Sequence, residues 1–370
     1  MNRIYTLYFP LFVLFVLSAS AYDEKDFLSA THTFNTTTLG FRLFVPPGYS
    51  PDSLYPLVLT LHGAGRRGND NENQIAGSSV TLSWVRNDVP TKHPCFVVTP
   101  QCPNDNKWVD TDWEKGNYDL SKVPLSNEML TVMDLVDSLI KIFPIDTNRL
   151  YVAGNSMGGY GTWNVILNYP GKFAAAVPVC GAGDKSLAGL LSDMPIWAFH
   201  GNADPTVPVS GSRDMMSAIQ NMGANVLFSN CNLQQNCTGM PAQEFADSLK
   251  KSPMYIYTEL DGVDHNSWDP AFLETPGLYD WVFSKTREVP PVSIASPDAM
   301  SGSNTRHQLA IGSVGVFDIN GTLVKTVYYK NVEFKWDGTN QNGDRVGTGI
   351  YFVKNLFNSK GHALKVFIAN

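Results

Sequence analysis

Apolar residues between positions 41 and 284 occur in short blocks of strand character, and stretches with helical spacing separate these blocks. Several blocks are continuously apolar, which is typical of strands that are buried on both faces of a sheet. Alternation of strands and helices indicates a mainly parallel sheet covered by helices on both sides. We therefore predict an α/β fold with a doubly wound sheet, with strands at 42–45, 57–61, 96–99, 150–153, 174–179, 196–200 and 254–260.

Helical spacing is clearest at 128–143, where Met129, Met133, Val136 and Ile140 recur on one face. This helix is predicted to end before Pro144, because proline lacks the N–H that a continuing helix needs. Further helices are predicted at 160–167, 210–222 and 278–285.

The pattern changes after position 287. Residues 288–308 are rich in Pro, Ser, Ala and Asn and have no apolar periodicity, so we predict a linker there. Short alternating strands separated by turn residues follow in 309–370, which predicts a small all-β second domain. The first, α/β domain is then expected to span 22–287.

The most informative chemical motif follows the strand at 150–153, where Gly154-x-Ser156-x-Gly158 leads directly into a helix. A serine on such a tight strand-to-helix turn stands in a strained backbone conformation, and glycines two residues away on each side avoid steric clashes. Ser156 is therefore predicted to be a catalytic nucleophile. A Gly-rich turn in which the serine only caps the helix is the alternative.

A nucleophilic serine needs a histidine base, and His265 lies on a polar loop directly after the strand at 254–260. The other six histidines lie outside the α/β core, at the surface, or at strand ends where a structural role is expected: His32, His307, His362, His93, His62 and His200.

The acid that orients the base is predicted to be Asp204, which follows the strand at 196–200 and precedes Pro205. An Asx turn would explain Asp204 taken alone, but the chain order serine, acid, histidine favours a catalytic role. Asp261 and Asp264 lie too close to His265 along the chain to be preferred.

The loop after the strand at 57–61 has the sequence His62-Gly63-Ala64-Gly65. It is rich in glycine and lacks the lysine of a phosphate-binding loop. We expect the N–H groups of Ala64 and Met157 to form an oxyanion hole, which binds the negatively charged oxygen of the tetrahedral intermediate.

The N-terminus has the features of a signal peptide at 1–21. Arg3 precedes an apolar segment at 11–17, and Ala19-Ser20-Ala21 forms a cleavage site before Tyr22. A transmembrane anchor is the weaker interpretation because the apolar segment is short. The protein is expected to be secreted or held at the cell surface.

Charge and cysteine content argue against nucleic-acid binding and against a metal site. The net charge of −7 provides no basic surface for nucleic acid. Of the five cysteines, Cys231 and Cys237 could close a small disulfide, whereas Cys95, Cys102 and Cys180 are expected to be buried. No spacing of cysteine and histidine suggests zinc, so neither a metal nor a cofactor is predicted.

The segments 57–68 (LVLTLHGAGRRG), 149–169 (RLYVAGNSMGGYGTWNVILNY) and 196–207 resemble exported α/β-hydrolase esterases. The group is often labelled predicted peptidases and is related to carbohydrate esterase family 1 and to polyhydroxybutyrate-depolymerase-like esterases. The resemblance implies an α/β-hydrolase fold and ester hydrolysis through an acyl-enzyme, with Ser156, Asp204 and His265 at the catalytic positions. It also supports Trp108 and Trp268 as aromatic residues of the substrate cleft, with ordinary core packing as the alternative.

The C-terminal segments 316–321, 335–343 and 349–353 are similar to hook-capping, immunoglobulin-like modules, which resemble the sorting domains of type IX secretion substrates. The resemblance implies a partner in secretion or cell-surface machinery. A short carbohydrate-binding module is the competing interpretation, with Trp336 as its stacking residue.

The favoured function is hydrolysis of feruloyl or acetyl esters on plant cell-wall polysaccharide, with acylated polysaccharide or a small ester as substrate. Alternatives of the same fold are a general carboxylesterase, a polyester depolymerase and a peptidase. A binding protein without catalysis is disfavoured, because a binder does not need serine, acid and histidine in this order.

Overall fold

The computed structural model describes residues 22–50, 52–232, 235–238, 242–287, 311–317, 323–330, 336, 338–346, 349–355 and 364–368. The chain divides after Val289 into two compact units. The predicted signal peptide at 1–21 and the predicted linker at 288–308 lie outside the described residues.

The first unit is built on a ten-stranded sheet with the order β1-β2-β4-β3-β5-β6-β7-β10-β8-β9. Neighbouring strands from β4 through β8 run parallel, whereas the β1–β2, β2–β4 and β8–β9 pairs are antiparallel. The strands are β1 (Phe27–Phe34), β2 (Thr37–Phe44), β3 (Tyr55–Leu61), β4 (Phe96–Pro100), β5 (Ile145–Asn155), β6 (Ala175–Val179), β7 (Ile196–Gly201), β8 (Val226–Asn232), β9 (Gln235–Thr238) and β10 (Tyr255–Leu260).

Helices cover both faces of this sheet. They are α1 (Ser79–Leu82), α2 (Val89–Lys92), α3 (Asn127–Ile142), α4 (Met157–Asn168), α5 (Ser210–Asn221), α6 (Ala242–Leu249) and α7 (Leu278–Phe283). Short 3-10 turns occur at Glu24–Asp26, Ala64–Arg66, Ser83–Val85, Trp113–Lys115, Leu120–Lys122 and Lys185–Leu191, and a π turn at Pro270–Glu274. No described helix has the length and apolar character needed to cross a membrane.

Two apolar clusters, one on each face of the sheet, form the core. The helix predicted at 128–143 is α3, and Ser126 caps its start by accepting a hydrogen bond from the Met129 N–H at 3.0 Å. The apolar positions Met129, Met133 and Val136 are buried as the spacing predicted. The same holds for β4, β6 and β7, which are buried throughout, and for the second half of β5 from Leu150 to Asn155. This layered parallel sheet confirms the predicted α/β fold.

The strands at the two ends of the sheet were not predicted from the apolar pattern. Strand β1 has one buried residue, Phe27, and its other seven positions are exposed or half-buried. At the other end of the sheet, the edge strand β9 pairs with β8 at Asn230 and Asn232, and Phe228 of β8 has 52% of its surface exposed. Edge strands are covered on fewer sides than central strands, so their sequences lack the continuous apolar blocks that reveal the central strands.

The second unit contains a four-stranded antiparallel sheet with the order β12-β11-β13-β14. Its strands are β11 (Ile311–Phe317), β12 (Leu323–Lys330), β13 (Gly349–Asn355) and β14 (Leu364–Ile368). The antiparallel pairing agrees with the all-β character expected of 309–370. The immunoglobulin-like architecture itself stays a prediction.

Candidate active site

Ser156 lies between the end of β5 and the start of α4, on the sharp turn that the motif predicted. Its backbone has φ 54° and ψ −120°, which is a costly conformation for a residue with a side chain. A Cβ atom on Gly158 would collide with the carbonyl group of Leu61, and one on Gly154 would collide with the carbonyl of Gly158. The two glycines therefore allow β3, β5 and α4 to approach closely enough to hold this turn.

Three elements bring Ser156, His265 and Asp204 together. The Ser156 Oγ atom lies 2.8 Å from Nε2 of His265, on the loop after β10. The Nδ1 atom of His265 lies 2.7 Å from Oδ2 of Asp204, on the loop after β7. Because a carboxylate can only accept, His265 carries its hydrogen on Nδ1, and Nε2 accepts the hydrogen bond from the serine hydroxyl. Such a chain can move the serine proton onto the imidazole.

The carboxylate of Asp204 has no solvent-exposed surface. Burial by itself would raise its pKa, but hydrogen bonds from His200, His265 and the N–H groups of Val207 and Thr206 hold the pKa well below its usual range. Its Oδ1 atom accepts the Thr206 and Val207 N–H groups at 2.8 and 3.0 Å. Asp204 is thus a buried, fully bonded carboxylate beside His265. Asp261 and Asp264 are instead bonded to Asn202 and to the Asn266 N–H.

The loop that is predicted to supply the oxyanion hole lies directly against Ser156. A Cβ atom on Gly63 would stand 3.5 Å from the Ser156 Cβ atom. Ala64 begins the 3-10 turn Ala64–Arg66, and Met157 begins α4. The first N–H groups of a helix have no acceptor within it, so both positions offer free donors close to the serine. The use of these donors as an oxyanion hole stays a prediction.

His62 holds this loop in place through hydrogen bonds of its ring. Its ring is buried, with Nδ1 2.7 Å from the Gly63 carbonyl oxygen and Nε2 accepting the Cys102 N–H at 3.0 Å. Burial lowers the pKa of His62 to about 4, so the ring is neutral at pH 7. The structural role predicted for His62 matches these contacts.

The prediction for Trp108 is corrected by its position. Its side chain is fully buried, and Nε1 donates to the carbonyl oxygen of His62 at 3.0 Å. A ring that is enclosed by the core cannot line an open cleft, so Trp108 supports the loop instead of contacting substrate. The sequence signal for an aromatic residue near the site does not distinguish a lining ring from a supporting one.

Trp268 occupies a different environment. It is half-buried, and its ring packs edge-to-face against His265, with the ring centroids 5.4 Å apart. This contact places Trp268 beside the imidazole. Its predicted role in substrate binding stays a prediction.

The other described histidines are bonded elsewhere. His32 pairs with Asp134 and His93 with Asp280, each at 2.7 Å. His200 is fully buried beneath Asp204, with Nε2 3.3 Å from the Asp204 Oδ2 atom. His307 and His362 lie outside the described residues.

Among the described residues, Cys180, Asp204 and His265 have ligand-type atoms within 4.8 Å of one another. Burial raises the pKa of the Cys180 thiol to about 12, which keeps it protonated and a poor metal ligand. Asp204 and His265 are already bonded to each other. This set of donors therefore fits the hydrogen-bonded chain better than a metal ion.

The cysteine predictions divide into two groups. Cys95, Cys102 and Cys180 are buried and free, as expected. The side chains of Cys231 and Cys237 lie outside the part of the chain that the structure describes, so their disulfide stays a prediction.

Comparison with known proteins relates this unit to hydrolases. A sequence model of the prolyl oligopeptidase family of peptidases matches residues 111–198. A poly(3-hydroxyalkanoate) depolymerase from Paucimonas lemoignei is 29% identical over 185 residues, which cover 49% of this chain and 40% of the depolymerase. A bifunctional acetylxylan esterase/xylanase from Neocallimastix patriciarum is 25% identical over 165 residues, which cover 44% of this chain and 21% of the relative.

A solved structure of a thermostable esterase is similar to this chain over a longer stretch. It is 34% identical, has a TM-score of 0.58, and the match covers 71% of this chain and 64% of the esterase. This chain therefore spans less than two thirds of the length of each of these relatives.

The fold and these similarities indicate a serine hydrolase of the esterase or peptidase type with the α/β-hydrolase fold. The α/β-hydrolase part of the predicted fold class and the prediction that the chain is an enzyme are confirmed at this level.

Proposed function

We propose that the protein is a secreted serine esterase that removes acyl groups, acetyl or feruloyl, from plant cell-wall polysaccharide. The observation that carries the esterase chemistry is the unbroken hydrogen-bond chain from Ser156 through His265 to the buried Asp204. The acetylxylan esterase/xylanase among the relatives supports an acylated polysaccharide as substrate. The predicted signal peptide at 1–21 supports secretion.

In the proposed first step, the Ser156 Oγ atom attacks the ester carbonyl carbon while His265 Nε2 accepts the hydroxyl proton. The charge that develops on the carbonyl oxygen is bound by the N–H groups of Met157 and Ala64, and loss of one such donor typically costs about 3–4 kcal/mol. The tetrahedral intermediate collapses when the C–O bond to the alcohol breaks, and His265 returns its proton to the leaving alcohol oxygen. The acyl group is then bonded to Ser156.

The second step releases the acid. Water attacks the acyl carbonyl carbon, His265 takes one of its protons, and the bond to Ser156 Oγ breaks as that oxygen regains a proton. Asp204 stays ionised throughout and stabilises the imidazolium that forms in each half of the reaction. The buried carboxylate suits this role, because hydrogen bonds hold both of its oxygens.

Hydrolysis of an aliphatic polyester is a second candidate, favoured by the 29% identity to the poly(3-hydroxyalkanoate) depolymerase. Both functions use the same serine chemistry. They differ in the acyl and alcohol groups that the cleft must hold.

The C-terminal unit is proposed to direct sorting or surface attachment and to take no part in the chemistry. Ser156, Asp204 and His265 all belong to the first unit. In the competing role as a carbohydrate-binding module, Trp336 would stack on sugar rings. Its Nε1 atom donates to the carbonyl oxygen of Thr339 at 2.8 Å, which restricts the orientation of the indole.

The function is tested with a panel of substrates given to the mature chain: p-nitrophenyl acetate, methyl ferulate, acetylated xylan, poly(3-hydroxybutyrate) granules and a prolyl p-nitroanilide. The proposal predicts turnover of the small ester and release of acetate or ferulate, with little cleavage of the anilide. Preferred release of hydroxyacids from the granules would favour the polyester depolymerase. Preferred cleavage of the anilide would contradict an esterase. The Ser156→Ala variant, assayed on each substrate, controls for contaminating hydrolases.

A further inference from the structure

A second histidine lies behind the acid of the proposed catalytic chain. His200 is the fifth residue of β7, four residues before Asp204, and its side chain is fully buried. Its Nε2 atom lies 3.1 Å from the Val207 carbonyl oxygen and 3.3 Å from the Asp204 Oδ2 atom. Both neighbours are acceptors when Asp204 is ionised, so Nε2 must carry a hydrogen.

The other side of the ring is also bonded. The Nδ1 atom of His200 lies 2.8 Å from the Ser212 Oγ atom at the start of α5. The Ser212 hydroxyl also lies 3.2 Å from the Gly181 carbonyl oxygen, and its single hydrogen can point to that oxygen or to the nearer Nδ1. With that hydrogen pointing to Nδ1, Ser212 accommodates the tautomer of His200 that carries its hydrogen on Nε2. The orientation of the imidazole is therefore fixed by contacts at both nitrogens.

Val207 connects His200 to the opposite side of the carboxylate. Its N–H donates to the Asp204 Oδ1 atom at 3.0 Å, while its carbonyl oxygen accepts from His200 Nε2. Asp204 Oδ2 lies between His200 and His265. His200 thus contacts the carboxylate directly and also holds the loop segment that carries the carboxylate. A residue that only filled space in the core would need none of these hydrogen bonds.

Other ionisable groups surround this pair. His265 and Cys180 face the carboxylate from the loops after β10 and β6, and Tyr160 lies on α4. Glu259 of β10 is the strand neighbour of His200, but Arg213 of α5 bonds both of its carboxylate oxygens and neutralises it. Tyr257 also donates to Glu259. Asp204 is therefore the carboxylate that is available to accept a hydrogen bond from His200.

We propose that His200 is a positioning residue for the reaction: its Nε2–H group and its bond to Val207 fix the Asp204 carboxylate in the orientation that His265 requires. The role rests on the proposed function of Ser156, Asp204 and His265. Without the His200 donor, the Asp204 carboxylate gains freedom to rotate and holds the proton of imidazolium His265 more tightly. The first effect lowers kcat, and the second moves the acid limb of the activity profile to higher pH.

Two substitutions of similar polarity separate this role from a packing role. In His200→Gln the side-chain amide can place an N–H donor near the position of Nε2. In His200→Asn the shorter amide reaches only the position of Nδ1, beside Ser212. Thr258→Val is a matched control on the neighbouring strand β10. It removes the buried hydrogen bond that Thr258 accepts from Trp197 Nε1, and this bond involves neither Asp204 nor His200.

The experiment measures kcat, KM and the pH profile on p-nitrophenyl acetate, together with Tm, for the wild type and the three variants. We expect His200→Asn to lose about 10- to 100-fold in kcat, the scale expected when a catalytic group is misplaced. KM should change little and the acid limb should move upward, while His200→Gln keeps most of the wild-type kcat and profile. Thr258→Val should lower Tm but should change neither kcat nor the acid limb of the pH profile.

Wild-type kcat and pH profile in folded His200→Asn would overturn the proposal, as would equal losses in His200→Gln and His200→Asn that follow Tm alone. If His200→Asn does not fold, His200→Leu takes its place, because leucine has a volume close to that of imidazole. The downfield proton resonance of the His265 Nδ1–H group gives a readout that needs no turnover. If the wild type hydrolyses no ester, the proposed function fails, and an unchanged resonance in the folded asparagine or leucine variant still rejects positioning by His200.

Discussion

Gly201, the last residue of β7, lies so close to Val263 that a Cβ atom on it would collide with the Val263 carbonyl oxygen. The same oxygen accepts the Ala203 N–H at 3.1 Å. The loop that carries Asp204 and the loop that carries His265 are therefore packed backbone to backbone. The side chains that these two loops carry meet with 2.7 Å between the carboxylate oxygen and the imidazole nitrogen.

Substitution of this glycine is expected to separate the two loops. Gly201→Ala should lower kcat at least 10-fold, since small displacements of catalytic groups have large effects on rate, and it should also lower Tm. Gly189→Ala is the control: its Cβ atom would meet only the flexible Met222 Sδ atom at 3.6 Å. Equal activity of the two variants would show that the backbone contact at Gly201 has no influence on the catalytic geometry.

The identity of the acid is tested by isosteric substitution. Asp204→Asn should reduce kcat by several orders of magnitude, because an amide cannot hold the His265 tautomer that accepts the serine proton. Asp261→Asn and Asp264→Asn should stay near wild type, since these carboxylates bond to Asn202 and Asn266 and not to His265. The measurement is steady-state kinetics on p-nitrophenyl acetate. The reverse ranking would assign the acid to the loop after β10.

Stability should fall in mild acid because of His62. Its pKa is about 4 in the folded protein, below the ordinary histidine value of about 6.5, so the unfolded chain binds more protons between these values. The contribution is fully present above about pH 6.5, and by pH 5 about 2 kcal/mol of it is lost. Urea unfolding at pH 7 and pH 5 measures the difference. A His62→Leu variant should be less stable at pH 7 and should show a smaller dependence on pH. An unchanged dependence would mean that His62 does not stay neutral in the fold.

The two-unit division predicts that a chain shortened to residues 22–287 folds and keeps its kcat on a small soluble ester. The three residues of the hydrogen-bond chain all lie within this segment. Surface retention in the native host should be lost, as expected if the tail serves sorting. An insoluble or inactive shortened protein would show that the catalytic unit depends on residues after 287.

The central strands of the sheet and the three residues of the proposed catalytic chain could be predicted from the sequence. The contacts that hold those three residues in place could not. Strand β5 and helix α4 were evident because a buried strand and a glycine-flanked serine leave strong local signals. The contact between His200 and Asp204 left none, because a buried histidine at a strand end looks the same whether its ring bonds to a carboxylate or to a backbone carbonyl. For Trp108 the sequence left cleft lining and core packing open for a similar reason, since burial of an aromatic ring depends on the loops that cover it.

The central claim is that Ser156 is the nucleophile of an esterase, and covalent labelling tests it most directly. The protein is treated with a fluorophosphonate probe, the modified residue is located by mass spectrometry, and the remaining hydrolysis of p-nitrophenyl acetate is measured. Ser217→Ala, an exposed serine on α5, is the control for Ser156→Ala. The account predicts one label per molecule on Ser156, with turnover lost in proportion to labelling, and neither label nor turnover in folded Ser156→Ala. Labelling at another residue, or near-wild-type turnover in Ser156→Ala, would contradict it.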